Sequence, residues 1–576
     1  GPASARRVAT ARSTRRRLVA LLFVTVAAFA TIGARLVDVQ GMGRDRYARL
    51  GLDQRLRTIE LAAERGSVFD RNGNDLAVSV QQQTVWADPR VVEDPATHAA
   101  LLAPLLGVDE LQLRDTLAQP DRAFVYLARK VDDETAARIR ALDLPGIGFV
   151  PESKRFYPSN ALAGPVLGFV GIDNDGLGGL ESAYDELLTG RPGEVVVERD
   201  PYGHEIPSGQ RRVRPSQRGS DLVLTIDQSL QYETERVLVD EVTGAKAKGG
   251  VAVVVDVQSG DVLAMATVEG ATADHPARPG PATEPNRPVT DVYEPGSTNK
   301  VITVAGALEE GTVTPETWYQ VPGELTIDGR VFEDVEDHPP AMTVNDIVRE
   351  SSNVGTILIA RALGRDRFDT YLRAFGFGSA TALEFPGESP GLLLPPSEYN
   401  DTSLASMPLG NGIAVTAVQM LDVYTTIANG GVSRPPRLVA ATIGPDGTRH
   451  DEPLAAPRAV VSTGTAATMR TMLESVVTGG TGTRAAVPGY RVAGKTGTAR
   501  KPPYDGRYVA SFAGFAPADA PRLATIVVLD EPSRTYYGGQ VAAPVFARIM
   551  QYALRLEQVP PTGDAPAPPD SLNASR

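Results

Sequence analysis

The sequence predicts a multidomain α+β protein carried on a single N-terminal transmembrane helix. Three observations predict it. The chain has 576 residues, and at about 150 residues per domain that makes three or four structural units. Its 42% hydrophobic and 22% charged residues can build sizeable cores and are too apolar for a mainly disordered chain. One uncharged run is long enough to cross a bilayer, and the texture of the chain changes again near residue 220.

Taken in order, Gly1-Pro2 reads as the remnant of a cleaved tag. Residues 1–17 hold Arg6, Arg7, Arg12, Arg15, Arg16 and Arg17 and no acid, and are expected to be cytoplasmic by the positive-inside rule. Residues 18–40 form the transmembrane anchor: Leu18 to Ala34 is free of charge and, at ~1.5 Å per residue, covers about 26 Å. Arg17 and Arg35 can snorkel to make up the span. The competing reading is a cleavable signal peptide ending at Ala28-Phe29-Ala30. Either way the bulk of the chain is extracytoplasmic, where ATP is scarce.

Residues 41–220 read as mixed strand and helix, with turns at Arg65–Gly73 and Gly176–Glu181 and no catalytic cluster. Residues 221–556 form a second domain. It opens with a strand at Leu222–Ile226, a helix from Gln228 to Val242 closed at Gly244, and a buried strand at Val251–Val255. A turn at Gln258–Asp261 folds that strand into a hairpin with Val262–Val268. Residues 270–288 read as a surface loop. Residues 557–576 hold five prolines and are expected to be a disordered tail.

Composition removes whole classes of function. A net charge of −13 argues against nucleic acid as the partner. Without cysteine there is no disulfide, thiol catalysis or Cys-ligated metal. His98, His204, His275, His338 and His450 are scattered, so neither a metal centre nor a Ser-His triad is expected, and all five read as surface-loop residues. No cofactor is expected. Only seven of the 57 basic residues are lysine. Lysine, unlike arginine, can serve as a neutral base when buried.

The chemistry concentrates in three short segments. Pro295-Gly296 turns the chain into a helix that begins with Ser297-Thr298-Asn299-Lys300, placing Ser297 at the N-terminus and Lys300 one turn along the same face. An uncharged Lys300 amine can then take the proton from Ser297 Oγ, and the helix N-terminus favours both the neutral amine and a nearby oxyanion. Alone, S-x-x-K is a weak signal, since serine is an ordinary helix cap. Ser351-Ser352-Asn353 falls in another helical stretch, with Ser351 able to relay a proton and Asn353 able to hold Lys300 or a substrate carbonyl. Lys495-Thr496-Gly497-Thr498 lies on a strand, where Lys495 supplies charge for a carboxylate and Gly497 leaves room for a peptide laid alongside. The run Gly489 to Thr496 also satisfies a phosphate-loop pattern. Pro502 and Pro503 oppose the helix that such a loop needs.

Together the three segments resemble the signature of the serine penicillin-binding superfamily. RGSVFDRNGNDLA (65–77), Arg155-Phe156-Tyr157-Pro158 and GLGGLESAYDELLTGRPG (176–193) resemble the non-catalytic pedestal, or dimerisation-type domain, of the class B penicillin-binding proteins. Pro408–Gly412 with Thr416 and Gln419, and Ser511–Pro517, resemble their transpeptidase domain, an antiparallel sheet flanked by helices. Tyr537-Gly538-Gly539 and Ala542–Phe546 match best the division-specific branch. Asn299 departs from the pattern, which often has an apolar residue there.

The resemblance implies a D,D-transpeptidase that cross-links peptidoglycan stem peptides at the septum and is acylated by β-lactams. Ser297 is then the nucleophile, Lys300 the base, Ser351 the relay and Asn353 the positioning amide, while Lys495, Thr496 and Thr498 anchor the donor carboxylate. The N–H groups of Ser297 and Thr498 form the oxyanion hole. The implied partners are the membrane, an FtsW-like glycan polymerase of the SEDS family and other division proteins. The alternatives are an elongation-type enzyme, a carboxypeptidase or β-lactamase, and a non-catalytic scaffold or β-lactam sensor.

Overall fold

The computed structural model describes residues 3–42, 55–198, 206–207 and 209–562. One helix, Ala3–Val37, takes in the basic segment as well as the apolar run and ends in a π-helical turn at Asp38–Met42. Its apolar side chains face outward; Phe23 is 77% exposed. Thr25 and Thr31 donate to the carbonyls of Leu21 and Ala27, which keeps their hydroxyls satisfied without water. A span from Thr14 to Gly41 is long and apolar enough to cross a membrane.

The chain forms two compact units that cut across the linear order. The first, residues 1–63 with 191–217, holds that helix and an antiparallel sheet of Leu56–Leu61, Gly193–Glu198 and Arg211–Arg214. The second, residues 64–190 with 218–576, holds everything else. The residues expected in one pedestal, 41–220, are thus divided between the two, with 64–190 in the same unit as the C-terminal segment.

Within the second unit a seven-stranded sheet joins both halves of the sequence. Val68–Phe69 pairs in parallel with Asp221–Leu224 and antiparallel with the long strand Asp75–Ala87. That long strand also pairs with Val125–Val131 and Ile147–Phe156. The motifs quoted above as pedestal-like meet in a buried ion cluster. Glu181 accepts from Arg65 Nε at 2.7 Å and Arg155 Nε at 2.6 Å, with all three side chains at most 2% exposed. Arg65 also reaches Asp185 at 2.6 Å, and Arg155 donates to the Gly66 carbonyl. The expected turns are therefore anchor points for buried charge as well as changes of direction. Turn residue Asp70 accepts from the N–H groups of Asn72 and Asn74 and from the first N–H of the helix Gln228–Ala245.

The sheet that carries the site is six-stranded and antiparallel. Its order is Arg278–Pro279, Val262–Glu269, Gly249–Asp256, Leu523–Asp530, Tyr508–Ala516 and Ala493–Arg500. The expected hairpin supplies its second and third strands. One face packs on the helices Gln228–Ala245 and Gly538–Leu556; the other faces the large core that includes the helices Lys300–Glu309 and Ala417–Ala428. Helix Gln228–Ala245 runs past Gly244 and is closed by Lys246 in the left-handed region. The loop 270–288 contributes the short edge strand Arg278–Pro279.

Two expectations change at the periphery. The tail expected to be disordered from 557 begins in contact with the body: the Val559 carbonyl accepts from Tyr490 Oη at 2.7 Å, and Thr562 N–H donates to the Gly489 carbonyl. Residues 563–576 lie outside the described residues. His98 is not a surface-loop residue, since it sits buried on the helix Pro95–Leu106 with its ring nitrogens at the carbonyls of Asp94 and Pro145. His204 lies outside the described residues.

Candidate active site

Ser297 lies in a single 3₁₀ turn, Gly296–Asn299, that runs directly into the helix Lys300–Glu309. The turn is fixed from three sides. Gly296 has φ +57, a conformation that suits glycine. Gly410 brings its backbone so close that a Cβ there would sit 2.2 Å from the Gly296 carbonyl oxygen, and its own carbonyl accepts from Gly296 N–H. Below, Tyr424 Oη donates to the Thr298 carbonyl at 2.9 Å, and Asn299 Nδ2 donates to the Met407 carbonyl at 2.8 Å. The atypical Asn299 is therefore a buried tie between this turn and the segment before Gly410, with its Oδ1 left without a partner.

Lys300 is almost wholly buried. Its Nζ donates to the Ser351 carbonyl at 2.6 Å and to Asn353 Oδ1 at 2.8 Å, and lies 3.3 Å from Ser351 Oγ. Among the described residues it makes no hydrogen bond with Ser297 Oγ. Burial pushes its pKa down to about 7, opposed by the Asp334 carboxylate. At neutral pH a substantial fraction of this amine is therefore uncharged and able to accept a proton.

Ser351 and Asn353 do not sit on one helical turn. Ser351 lies in the link between the helices Val344–Arg349 and Asn353–Leu363, with φ +62, and Ser352 caps the second helix through the N–H of Gly355. The sharp link is what turns both a carbonyl and a hydroxyl of Ser351 toward Lys300.

Lys495, Thr496, Gly497 and Thr498 lie on Ala493–Arg500, the edge strand of the six-stranded sheet. An edge leaves alternate N–H and C=O groups free to pair with an extended peptide. The chain continues as strand beyond Lys495-Thr496 to Arg500, which excludes the helix that a phosphate loop requires. Lys495 is fully buried, with Thr496 O and Oγ1 each 3.4 Å from Nζ. Burial holds its pKa well below the usual range, and Lys300 acts in the same direction. Gly497 serves packing rather than an open peptide lane. A Cβ there would meet Ser511 Oγ at 2.3 Å and the Pro295 carbonyl oxygen at 3.0 Å, so its absence lets the turn that bears Ser297 approach the strand.

Sequence reasoning missed Thr481, Asp334 and His338 in this cluster, and had Gly538 only as part of a family motif. Thr481 Oγ1 pairs with Thr496 Oγ1 at 2.8 Å, and Gly538 N–H donates to Thr498 Oγ1 at 3.0 Å. Asp334 reaches Ser352 and the N-terminus of the Asn353 helix, and His338, read as a surface-loop residue, is packed against Asp334. No local motif marks Asp334 or His338; their importance depends on a loop folding back over the site. A separate cavity of 390 Å³ is lined by Tyr293, Glu294, Leu392, Ala499, Lys501 and Asp530 among others, and none of the polar side chains of Ser297–Lys300, Ser351–Asn353 or Lys495–Thr498 is in its wall.

Residues 250–551 match the penicillin binding protein transpeptidase domain, and residues 60–224 match the penicillin-binding protein dimerisation domain. The chain is 38% identical over 559 residues to the peptidoglycan D,D-transpeptidase FtsI of Escherichia coli, covering 93% of this chain and 92% of that one. It is 35% identical over 549 residues to the penicillin-binding protein PbpB of Mycobacterium tuberculosis, covering 89% and 81%. Among solved structures, a peptidoglycan synthetase from Bifidobacterium adolescentis superposes with a TM-score of 0.72 at 29% identity, over 89% of this chain and 99% of that one. Penicillin binding protein 3 from Mycobacterium tuberculosis, complexed with aztreonam, gives 0.68 at 31% identity, over 88% and 99%.

Proposed function

The chain belongs to the class B penicillin-binding proteins and is a serine-type peptidoglycan D,D-transpeptidase, and from that premise we propose that Ser297 and Lys300 carry the reaction at the division septum. The observation that carries the assignment is the buried Lys300 amine, held by Ser351 and Asn353 one turn from Ser297. Ser297 Oγ attacks the carbonyl between the last two D-alanines of a stem peptide while Lys300 takes its proton. The backbone N–H groups of Ser297 and Thr498 receive the oxyanion, a charge best stabilised by donors already in place. Ser351 Oγ passes a proton from Lys300 to the leaving amine, and D-alanine departs with that amine neutral. The amine of a second stem peptide then attacks the acyl-enzyme and restores Ser297.

Thr496 and Thr498 offer hydroxyls to the donor carboxylate, and Gly497 keeps the strand close to the nucleophile. Burial disfavours the charged form of Lys495, and an arriving carboxylate favours it, since an opposite charge within ~4–6 Å raises a lysine pKa. A β-lactam follows the same path as far as acylation, after which no amine displaces it.

The arginines ahead of the apolar span support a cytoplasmic N-terminus with the catalytic unit outside. The 38% identity to a protein named FtsI supports the septal role over elongation, and with it an FtsW-like glycan polymerase and other division proteins as partners. Labelling with a fluorescent penicillin followed by mass mapping tests the core of this reading. The adduct is expected on Ser297, and an adduct on any other residue would overturn it.

A further inference from the structure

The corner that holds Ser351 and Asn353 is fixed from outside its own helices. Asp334 follows the hairpin of Glu324–Ile327 and Arg330–Glu333 and spends both carboxylate oxygens on this corner. Oδ1 accepts from the N–H of Asn353 and, at 3.2 Å, from that of Val354; Oδ2 accepts from Ser352 Oγ at 2.8 Å. The adjacent Glu333 carbonyl accepts from Asn353 Nδ2 at 2.9 Å. The amide that meets Lys300 is thereby held at its backbone and its side chain from one loop.

His338 in turn holds Asp334. Its Nε2 lies 2.6 Å from Asp334 Oδ2 and its Nδ1 2.8 Å from the Pro339 carbonyl, with the two side chains 9% and 6% exposed. A carbonyl and an ionised carboxylate only accept. Both contacts are hydrogen bonds only when both ring nitrogens carry hydrogen, so the geometry calls for an imidazolium.

We propose that the His338–Asp334 pair is a positioning device for the transpeptidase site: it fixes the Ser351–Asn353 corner against Lys300 and sets the field in which that amine gains and loses its proton. The inference rests on the reading of Lys300 as the base. Among the described residues, the titratable groups in the field of this corner are Lys300, Asp334 and His338, with Lys495 and Lys300 acting on each other and Asp337 acting on His338. Asp334 acts on Lys300 in the direction that keeps the proton on. The Pro339 carbonyl, together with Asp334 and Asp337, raises the His338 pKa, so the imidazolium offsets the carboxylate. Loss of the Asp334 charge therefore lowers the Lys300 pKa, and loss of the His338 charge raises it.

The test is the pH profile of acylation by a chromogenic cephalosporin, measured on the full detergent-solubilised chain. In Asp334→Asn the acid limb is expected to move to lower pH, and in His338→Gln to higher pH, each by roughly half to one unit. His338→Lys keeps the charge and is expected to keep the wild-type limb. A limb that stays in place in all three variants, whatever the loss of rate, would reduce the pair to packing and overturn the proposal. A second readout is independent of the base assignment. With only five histidines in the chain, the His338 ring can be followed by NMR, identified by its loss in His338→Gln. Its pKa is expected above the ordinary histidine range and to fall in Asp334→Asn. A His338 that titrates ordinarily in both proteins also overturns the proposal. A wild-type acylation profile flat through neutrality would instead remove Lys300 as the base, and the histidine titration alone would then judge the pair.

Discussion

At the residue scale, the nucleophile and its base make separable predictions. Ser297→Ala should abolish covalent penicillin labelling while the protein stays folded, as seen by an unchanged unfolding transition, because Ser297 caps no helix. Lys300→Arg keeps the positive charge and loses the neutral amine, so acylation should fall by at least ~100-fold. A lysine brought down to about 7 also gives the wild-type enzyme a defined pH dependence. Below that value the amine is protonated and cannot accept from Ser297, so the acylation rate should drop about tenfold per unit on the acid side and level off above neutrality. Stopped-flow acylation across the neutral range would show this limb, and its loss in Lys300→Arg would tie it to this residue. The sequence marked these two residues by spacing alone. It also predicts a neutral amine, on the ground of the helix N-terminus; the cause the structure gives is burial, by a core that closes over Lys300 from distant segments.

At the element scale, the edge strand and the nucleophile turn depend on each other through residues that carry no chemistry. Gly497→Ala places a Cβ 2.3 Å from Ser511 Oγ and 3.0 Å from the Pro295 carbonyl oxygen. The Ser511 hydroxyl can turn aside, but the Pro295 carbonyl oxygen and the Thr298 methyl, both at 3.0 Å, belong to the turn that bears Ser297 and must give as well. A displacement near 1 Å can cost about 100-fold in rate, so acylation should fall on that order with little change in the denaturation midpoint. The hairpin 249–269 was legible because mostly apolar runs on either side of a Gln-Ser-Gly-Asp turn leave few alternatives. The Ser351 link was not. A run of polar residues ahead of an apolar helical pattern reads as a helix start, and nothing local announces the left-handed residue that aims Ser351 at Lys300. The buried ions were equally hidden. Arg65, Arg155 and Glu181 are far apart in sequence; Arg65 and Glu181 read as turn residues and Arg155 as part of a family motif, until the fold brings them together. Glu181→Ala leaves the buried Arg155 guanidinium without its carboxylate and Arg65 with Asp185 alone, and should destabilise the unit by about 3–5 kcal/mol. A urea titration would measure the loss, and a change of less than ~1 kcal/mol would mean that the cluster is solvated rather than dry.

At the scale of the whole molecule, the catalytic chemistry and the membrane attachment belong to different compact units. Ser297, Lys300, Ser351, Asn353 and Lys495 all lie in the unit of residues 64–190 and 218–576, as do their supports Asp334, Thr481 and Gly538. The apolar helix lies in the unit of residues 1–63 and 191–217. This interleaving was invisible to a linear reading, because strands distant in sequence complete one another's sheets, as Leu56–Leu61 does with Gly193–Glu198. It predicts that attachment and acylation can be separated without touching the active site. A chain lacking Ala3–Met42 but keeping Leu56–Leu61 retains the strand that pairs with Gly193–Glu198, so its sheet can still form. Its penicillin acylation rate in solution should equal that of the full chain in detergent. In cells depleted of the intact protein it should fail to support septation, since a transpeptidase released from the bilayer is no longer held beside the glycan strands it joins. Loss of acylation on removing the helix would show that the anchor unit shapes the active site, and rescue of septation would show that membrane attachment is dispensable for it.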